Sequence, residues 1–124
     1  MKAIRFLHAA VAGAALCLAV NAFAHDAKPK YGGIVRTVGD LHFELVAKEG
    51  NAIIHVDDHS KPVPTAGMSG KLTLLIGKET SEAPLQAAGE NRLEAKGVKL
   101  ASGAKVVASI VRAGKTITVR FAVK

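Results

Sequence analysis

Residues 40–46, DLHFELV, alternate between polar and apolar side chains as far as Leu45, and this stretch decides the fold class. Successive side chains point to opposite faces of a β-strand. The pattern therefore predicts a strand with Asp40, His42 and Glu44 on one face and apolar side chains on the other. Residues 49–56, EGNAIIHV, begin with turn-forming residues and continue with strand-forming ones, so we expect a second strand paired with the first.

The rest of the sequence predicts more short strands, with turn residues spaced about 8 to 12 residues apart, as in β-sandwiches. Two prolines in residues 58–70 favour a loop there, and residues 81–88 fit a strand or a helix. We expect an all-β chain that forms a single Ig-like or Greek-key β-sandwich of seven or eight strands, with a small closed barrel as the alternative. The further predicted strands are residues 34–38, 72–76, 85–87, 92–95, 105–111 and 116–123.

The first 24 residues have the pattern of a cleaved signal peptide. Lys2 and Arg5 precede an apolar run, and Ala22-Phe23-Ala24 provides small residues at the cleavage site. Cleavage after Ala24 would make His25 the first residue of an exported, periplasmic protein. We therefore divide the chain into a signal peptide (1–24), a polar arm (25–31) and a β domain (32–124).

Composition excludes several classes of site from the exported chain. The only cysteine, Cys17, lies in the signal peptide, so disulfides and thiolate metal sites are excluded. The formal net charge is +7, but few aromatic residues accompany the basic ones, which argues against nucleic acid as a partner. No apolar run after the signal peptide is long enough to span a bilayer.

Histidines and carboxylates concentrate in the first half of the predicted domain. His42 and Glu44 share a face, and a neighbouring strand that carries His55 and Asp57 would place its polar side chains beside them. This set suits a metal ion, although a solvent-facing strand pair would carry the same polar residues.

Two further features point to metal binding. An N-terminal His25 offers its amine and its imidazole to one ion, a chelate that suits Cu(II). Asp57-Asp58-His59 lies where a strand meets a loop, and an extended backbone would put Asp57 and His59 on the same side. Turn formation is the alternative role for Asp58. The candidate metal ligands are His25, His42, Glu44, Asp57, Asp58 and His59.

Three short motifs resemble a group of small exported proteins and domains found with bacterial heavy-metal efflux and copper-handling systems. They are Tyr31-Gly32-Gly33, Gly39-Asp40-x-His42-x-Glu44-Leu45-Val46 and Asp58-His59-x-Lys61-Pro62-Val63. The resemblance covers about residues 28–123, is closest in the first half, and implies that His42, Glu44, Asp58 and His59 are the site positions.

The chain is more loosely similar to the periplasmic copper-resistance protein C family. Those proteins are Ig-like sandwiches whose mature chain begins with histidine and whose Cu(II) site adds an Asp-x-His pair. The matching positions here are His25, Asp57 and His59. In that family the Asp-x-His pair comes late in the chain and a methionine-rich segment is present, whereas this sequence has neither feature.

These patterns predict a periplasmic metal-binding protein that holds copper, or alternatively zinc. We expect it to act as a carrier, a buffer or an accessory that works with a metal-efflux component of the envelope. The alternative is a non-catalytic β-sandwich module that binds an envelope protein or polymer without a metal. We do not expect an enzyme, because no serine stands in a nucleophile elbow and no phosphate-binding glycine loop precedes a helix.

Overall fold

The computed structural model describes residues 27–124, which form nine antiparallel strands and contain no helix. None of these residues therefore belongs to a helix of the length and apolarity needed to cross a membrane. The strands are β1 (Ile34–Val38), β2 (Leu41–Lys48), β3 (Asn51–Asp58), β4 (Lys61–Pro62), β5 (Ser69–Ile76), β6 (Glu79–Ala87), β7 (Arg92–Ala95), β8 (Lys105–Arg112) and β9 (Lys115–Ala122).

The strands are joined in a single sheet with the order β1-β2-β3-β7-β6-β5-β8-β9, and β4 pairs with the end of β3. Strands β5, β6 and β7 follow one another as neighbours, and β8 returns to lie beside β5, which is the Greek-key arrangement. Strands β1 and β9 contact each other, so the sheet is nearly closed. The prediction of an all-β chain is confirmed.

The alternation in residues 40–46 places the core as expected. Leu41, Phe43 and Leu45 are buried, and they pack with apolar residues of β3 that alternate in the same way. The longer strands thus contribute apolar side chains to a common core, and burial of this core is the main source of the stability of the fold. The largest fully buried side chains there are Phe43, Leu45, Ile54, Leu72, Leu85, Leu93 and Ile110.

Two segments with weak sequence signals are fixed by strand pairing and by side-chain hydrogen bonds. Residues 81–88, which also fit a helix, lie mostly in β6, because β5 pairs with β6 along its whole length. The segment between β4 and β5 is held by Thr65, whose buried hydroxyl donates to the carbonyl oxygens of Glu90 (3.2 Å) and Arg92 (2.7 Å). The β5–β6 pairing is a hairpin, whereas the Thr65 hydrogen bonds join residues 25 and 27 positions apart.

Candidate functional site

The polar face of β2 and β3 brings together the four side chains that the alternation predicts. In the strand register His42 lies opposite Asp57, and Glu44 lies opposite His55. Paired residues of an antiparallel sheet project from the same face. The predicted placement is thus observed for these four side chains, which share one face of the strand pair.

Glu44 does not face solvent, because the polar arm before β1 folds over it. Only 4% of the Glu44 surface is exposed. Its carboxylate accepts hydrogen bonds from the backbone N–H groups of Lys30 (2.8 Å), Tyr31 (2.8 Å) and Gly33 (2.7 Å). Charge-assisted bonds of this kind are stronger than neutral ones. Glu44 therefore anchors the arm to the sheet.

Gly33 lets the arm approach β2 closely enough for these bonds. A Cβ atom at Gly33 would lie 2.1 Å from the carbonyl oxygen of Leu45, which belongs to the backbone of β2. No larger residue fits without moving the arm. The Tyr31-Gly32-Gly33 motif thus has a structural role, which is to bring two of the three N–H donors, those of Tyr31 and Gly33, to Glu44.

Asp57 is likewise buried and partnered. Its carboxylate accepts from the ammonium group of Lys30 (2.9 Å) and from the amide of Asn91 (3.0 Å). The hydrogen bond to Asp57 raises the pKa of Lys30, against partial desolvation of the ammonium. The Asn91 amide also lies within hydrogen-bond distance of the Tyr31 hydroxyl (3.3 Å). Asp57 therefore holds the arm from a second side.

His55 lies beneath the arm, stacked on Tyr31 with ring centroids 3.7 Å apart and an angle of 8° between the rings. Its Nδ1 atom is buried and has no hydrogen-bond partner. Burial lowers the pKa of His55, although the Asn91 amide and the nearby carboxylates of Glu44 and Asp57 oppose this shift. The neutral ring is thus the form that the folded protein favours.

We expect the free energy of unfolding to decrease as the pH falls below the ordinary His55 pKa of 6.5. The pKa of His55 is lower in the folded protein than in the unfolded chain, so the unfolded chain binds the proton more tightly. The stabilisation is therefore fully present above pH 6.5 and is lost as the pH falls toward the folded-state pKa. Urea denaturation between about pH 8 and 5 measures this effect. His55→Gln should flatten the dependence, whereas His59→Gln, at an exposed position, should retain it.

His42 and His59 form a second group at the end of the same two strands. Their ring centroids lie 6.3 Å apart, and the rings meet edge to face at 86°. The Nδ1 atom of His42 is 2.9 Å from the Thr37 hydroxyl, and that of His59 is 2.7 Å from the Asp58 carboxylate. The Nε2 atom of His59 lies 4.0 Å from Asp40, too far for a hydrogen bond.

The position of His59 corrects one expectation. His59 and Ser60 have positive φ values of 47° and 73°, and they connect β3 to β4 as a two-residue turn. Two such residues are what a type I′ hairpin turn requires. The extended backbone expected from Asp57 to His59 therefore ends at Asp58, and the prediction that it continues to His59 is wrong. Asp57 is buried, whereas His59 is exposed.

The structure thus separates the predicted ligands into two sets. Glu44 and Asp57 hold the arm, whereas His42, Asp58 and His59 meet near the turns, where Asp40 joins them. Within residues 27–124, no three His, Cys, Asp or Glu side chains are arranged to hold a metal ion. His25 lies outside the described residues.

The arm and the polar face enclose a cleft of about 240 Å³. The cleft reaches from Ala27, the first described residue, to the polar side chains of both strands. It thus extends from the start of the described arm to His42. Its lining residues are Ala27, Lys28, Lys30, Val35, His42, Glu44, His55, Asp57 and Ser60.

No family model matches this chain, and no curated protein or solved structure is significantly similar to it.

Sequence reasoning missed Lys30, Tyr31 and Asn91 as parts of the site. Asn91 reads as a turn residue in Gly89-Glu90-Asn91, and its partner Asp57 is 34 positions away. Tyr31 carried a signal, because it is the only tyrosine in the chain and precedes a Gly-Gly pair. Its stacking on His55 depends on the arm folding back, which no local pattern specifies.

Proposed function

We propose that this chain is an exported, periplasmic metal-binding protein that carries or buffers copper and acts with a metal-efflux component. The observation that carries the proposal is the His42 and His59 pair. The Nδ1 atom of each ring lies beside an oxygen atom, which leaves Nε2 as the nitrogen for a metal. Metal-binding histidines usually donate their other N–H group to a carboxylate, a carbonyl or water, and the Asp58 carboxylate beside His59 fits this pattern.

The separation of the rings supports a shared ion. Two imidazoles that bind one metal through nitrogen, with metal–nitrogen bonds of about 2 Å, have ring centres about 4.5 Å apart in cis positions and about 6 Å apart in trans positions. The centres of His42 and His59 are 6.3 Å apart, and the His59 side chain is 72% exposed. The observed distance is close to that of a trans pair, whereas a cis pair would require the exposed His59 ring to move toward His42.

A third ligand is proposed from the start of the exported chain. His25 precedes Ala27 by two residues, a distance of at most about 7 Å between Cα atoms. Ala27 lines the same cleft as His42. The amine and imidazole of His25, joined by the imidazoles of His42 and His59, would give an all-nitrogen set that suits Cu(II). Glu44 and Asp57 are left out because their oxygens already bind the arm.

The test is a Cu(II) titration of the protein that begins at His25, followed by visible absorption and electron paramagnetic resonance. We expect one tightly bound ion with nitrogen hyperfine structure. His42→Ala and His59→Ala should each weaken binding by roughly tenfold or more. One serine inserted before His25 should also weaken it, because the amine would no longer be adjacent to this imidazole.

His55→Gln is the matched control, because it removes a histidine from the same face that is not a proposed ligand. It should leave the copper spectrum unchanged. Equal weakening in the His55 and His42 variants would refute a site built on the pair. Absence of binding at micromolar copper would favour the alternative, a non-catalytic module that binds an envelope protein or polymer.

A further inference from the structure

Strand β6 has an open edge along most of its length. On one side it pairs with β5 from residue 79 to residue 86, whereas on the other side β7 pairs only with Gln86 and Ala87. Within residues 27–124, no strand therefore lies beside this second edge at residues 79–85. Residues 79–82 are all exposed. Such an edge presents backbone N–H and C=O groups to any strand that approaches it.

Alternate residues of β6 direct their backbone groups to the open edge. In an antiparallel ladder, every second residue bonds to the same neighbouring strand. The N–H group of Ala88 donates to the carbonyl oxygen of Arg92 in β7, so Ala88 and every second residue before it face that side. Pro84, which has no N–H group to donate, stands at one of these positions, as prolines of edge strands do. The backbone groups of Thr80 and Glu82 thus face the open edge.

The charges of β6 favour a second copy of β6 as the added strand, in one register. Two identical antiparallel strands are related by a twofold axis that passes through one residue of each strand. With Glu79 or Glu82 on the axis, like charges face each other, which is unfavourable. With Ser81 on the axis, no opposite charges face each other. With Thr80 on the axis, Lys78, which directly precedes β6, faces Glu82 of the second copy, and this pair occurs twice.

A groove beside β6 complements the charge of a second β6 strand. The groove has a volume of about 540 Å³ and separates β6 from the loop that follows β7. The loop carries Lys96 and Lys99 on the groove wall and has no acidic residue, whereas β6 has two acidic residues and no basic one. With Thr80 on the axis, Glu79 of the second copy lies opposite Ser81, which also lines the groove. An acidic strand beside a basic wall is electrostatically favourable.

We propose that this chain forms a twofold-symmetric homodimer in which the open edges of two β6 strands pair antiparallel around Thr80. The two Thr80 residues exchange backbone hydrogen bonds, and each Lys78 pairs with Glu82 of the second copy. A strand of another protein would satisfy the same backbone groups, but β6 itself already supplies the complementary charges. The interface is short, so the dimer is weak and reversible. The proposal is independent of the metal site, because neither His42 nor His59 belongs to β5 or β6.

The test is sedimentation equilibrium of the protein that begins at His25, without copper, over a range of protein concentrations. We expect the mass to rise from that of a monomer to that of a dimer. Lys78→Glu and Glu82→Lys should each weaken self-association about tenfold, because each variant places two like-charged pairs across the interface. An equimolar mixture of the two variants should associate again, since every lysine of one variant then faces a glutamate of the other.

Hydrogen exchange shows whether the β6 edge forms the dimer. Exchange of the Thr80 and Glu82 amides should slow as the protein concentration rises, whereas the Ser81 amide, which faces β5, should not change. Lys115→Glu, at an exposed position of β9, is the matched control and should associate like the unmodified protein. Circular dichroism verifies that the variants fold.

Three results would overturn the proposal. The first is a protein that stays monomeric at every concentration, which would leave the edge to a strand of another protein. The second is a mixture of the two charge variants that associates no better than either variant alone. The third is a dimer in which exchange of the Thr80 and Glu82 amides does not depend on concentration.

Discussion

Glu44→Ala is expected to lower the free energy of unfolding by about 2 to 4 kcal/mol, because hydrogen bonds to a charged group contribute about 1.5 to 3 kcal/mol each. The variant removes the acceptor of three backbone N–H groups at once. Water can partly replace the carboxylate for these groups, which keeps the loss below the sum of three bonds. Urea denaturation measures the loss.

Release of the arm should be visible separately from global stability. The amides of Tyr31 and Gly33 donate to Glu44, so their hydrogen exchange should accelerate more in Glu44→Ala than exchange of amides in β5. Glu79→Ala, which removes an exposed carboxylate, is the control and should change stability by less than about 0.5 kcal/mol. Similar losses in the two variants would show that Glu44 does not anchor the arm.

The role of Glu44 shows where sequence reasoning about this site reaches its limit. The alternation in residues 40–46 identifies the face on which Glu44 lies, because the period of a strand is a local property. Alternation does not say what covers that face. The donors to Glu44 are backbone N–H groups of the arm, and backbone groups leave no mark in the sequence. A polar residue expected in solvent or on a metal is thus buried as an anchor.

The same distinction explains the rest of the site. The pairing of His42 with Asp57 and of Glu44 with His55 follows from one hairpin register, which the turn at residues 49–51 indicates. The position of His59 could not be predicted in this way, because His59 and Ser60 both have positive φ values although neither is a glycine. The contact between Asn91 and Asp57 could not be predicted for another reason: it depends on the pairing of β3 with β7, which are distant in the sequence. Local periodicity predicts faces, whereas tertiary pairing decides which side chains meet.

Gly70→Ala is expected to destabilise the protein by about 3 kcal/mol or more, the upper part of the range for overpacked sites. Strand propensity alone predicts the opposite sign, because alanine usually stabilises a position whose backbone it can adopt. Gly70 lies in β5 between β6 and β8, and its φ is not in the left-handed region. A Cβ atom there, however, would lie 2.1 Å from the carbonyl oxygen of Ser109.

The contact at Gly70 cannot be relieved by a side-chain rotation, since the atom it meets belongs to the backbone of β8. Strands β5 and β8 would have to separate where Ser109 lies, and this would weaken the ladder that joins the two halves of the sheet. Gly77→Ala is the control. Gly77 has a φ of 62°, and a Cβ atom added there would meet no atom within 4 Å. It should cost only about 1 to 2 kcal/mol, the cost of a left-handed backbone for an L-residue. Thermal or urea unfolding of the two variants measures the difference, and equal losses would show that backbone strain outweighs the close approach of β5 and β8.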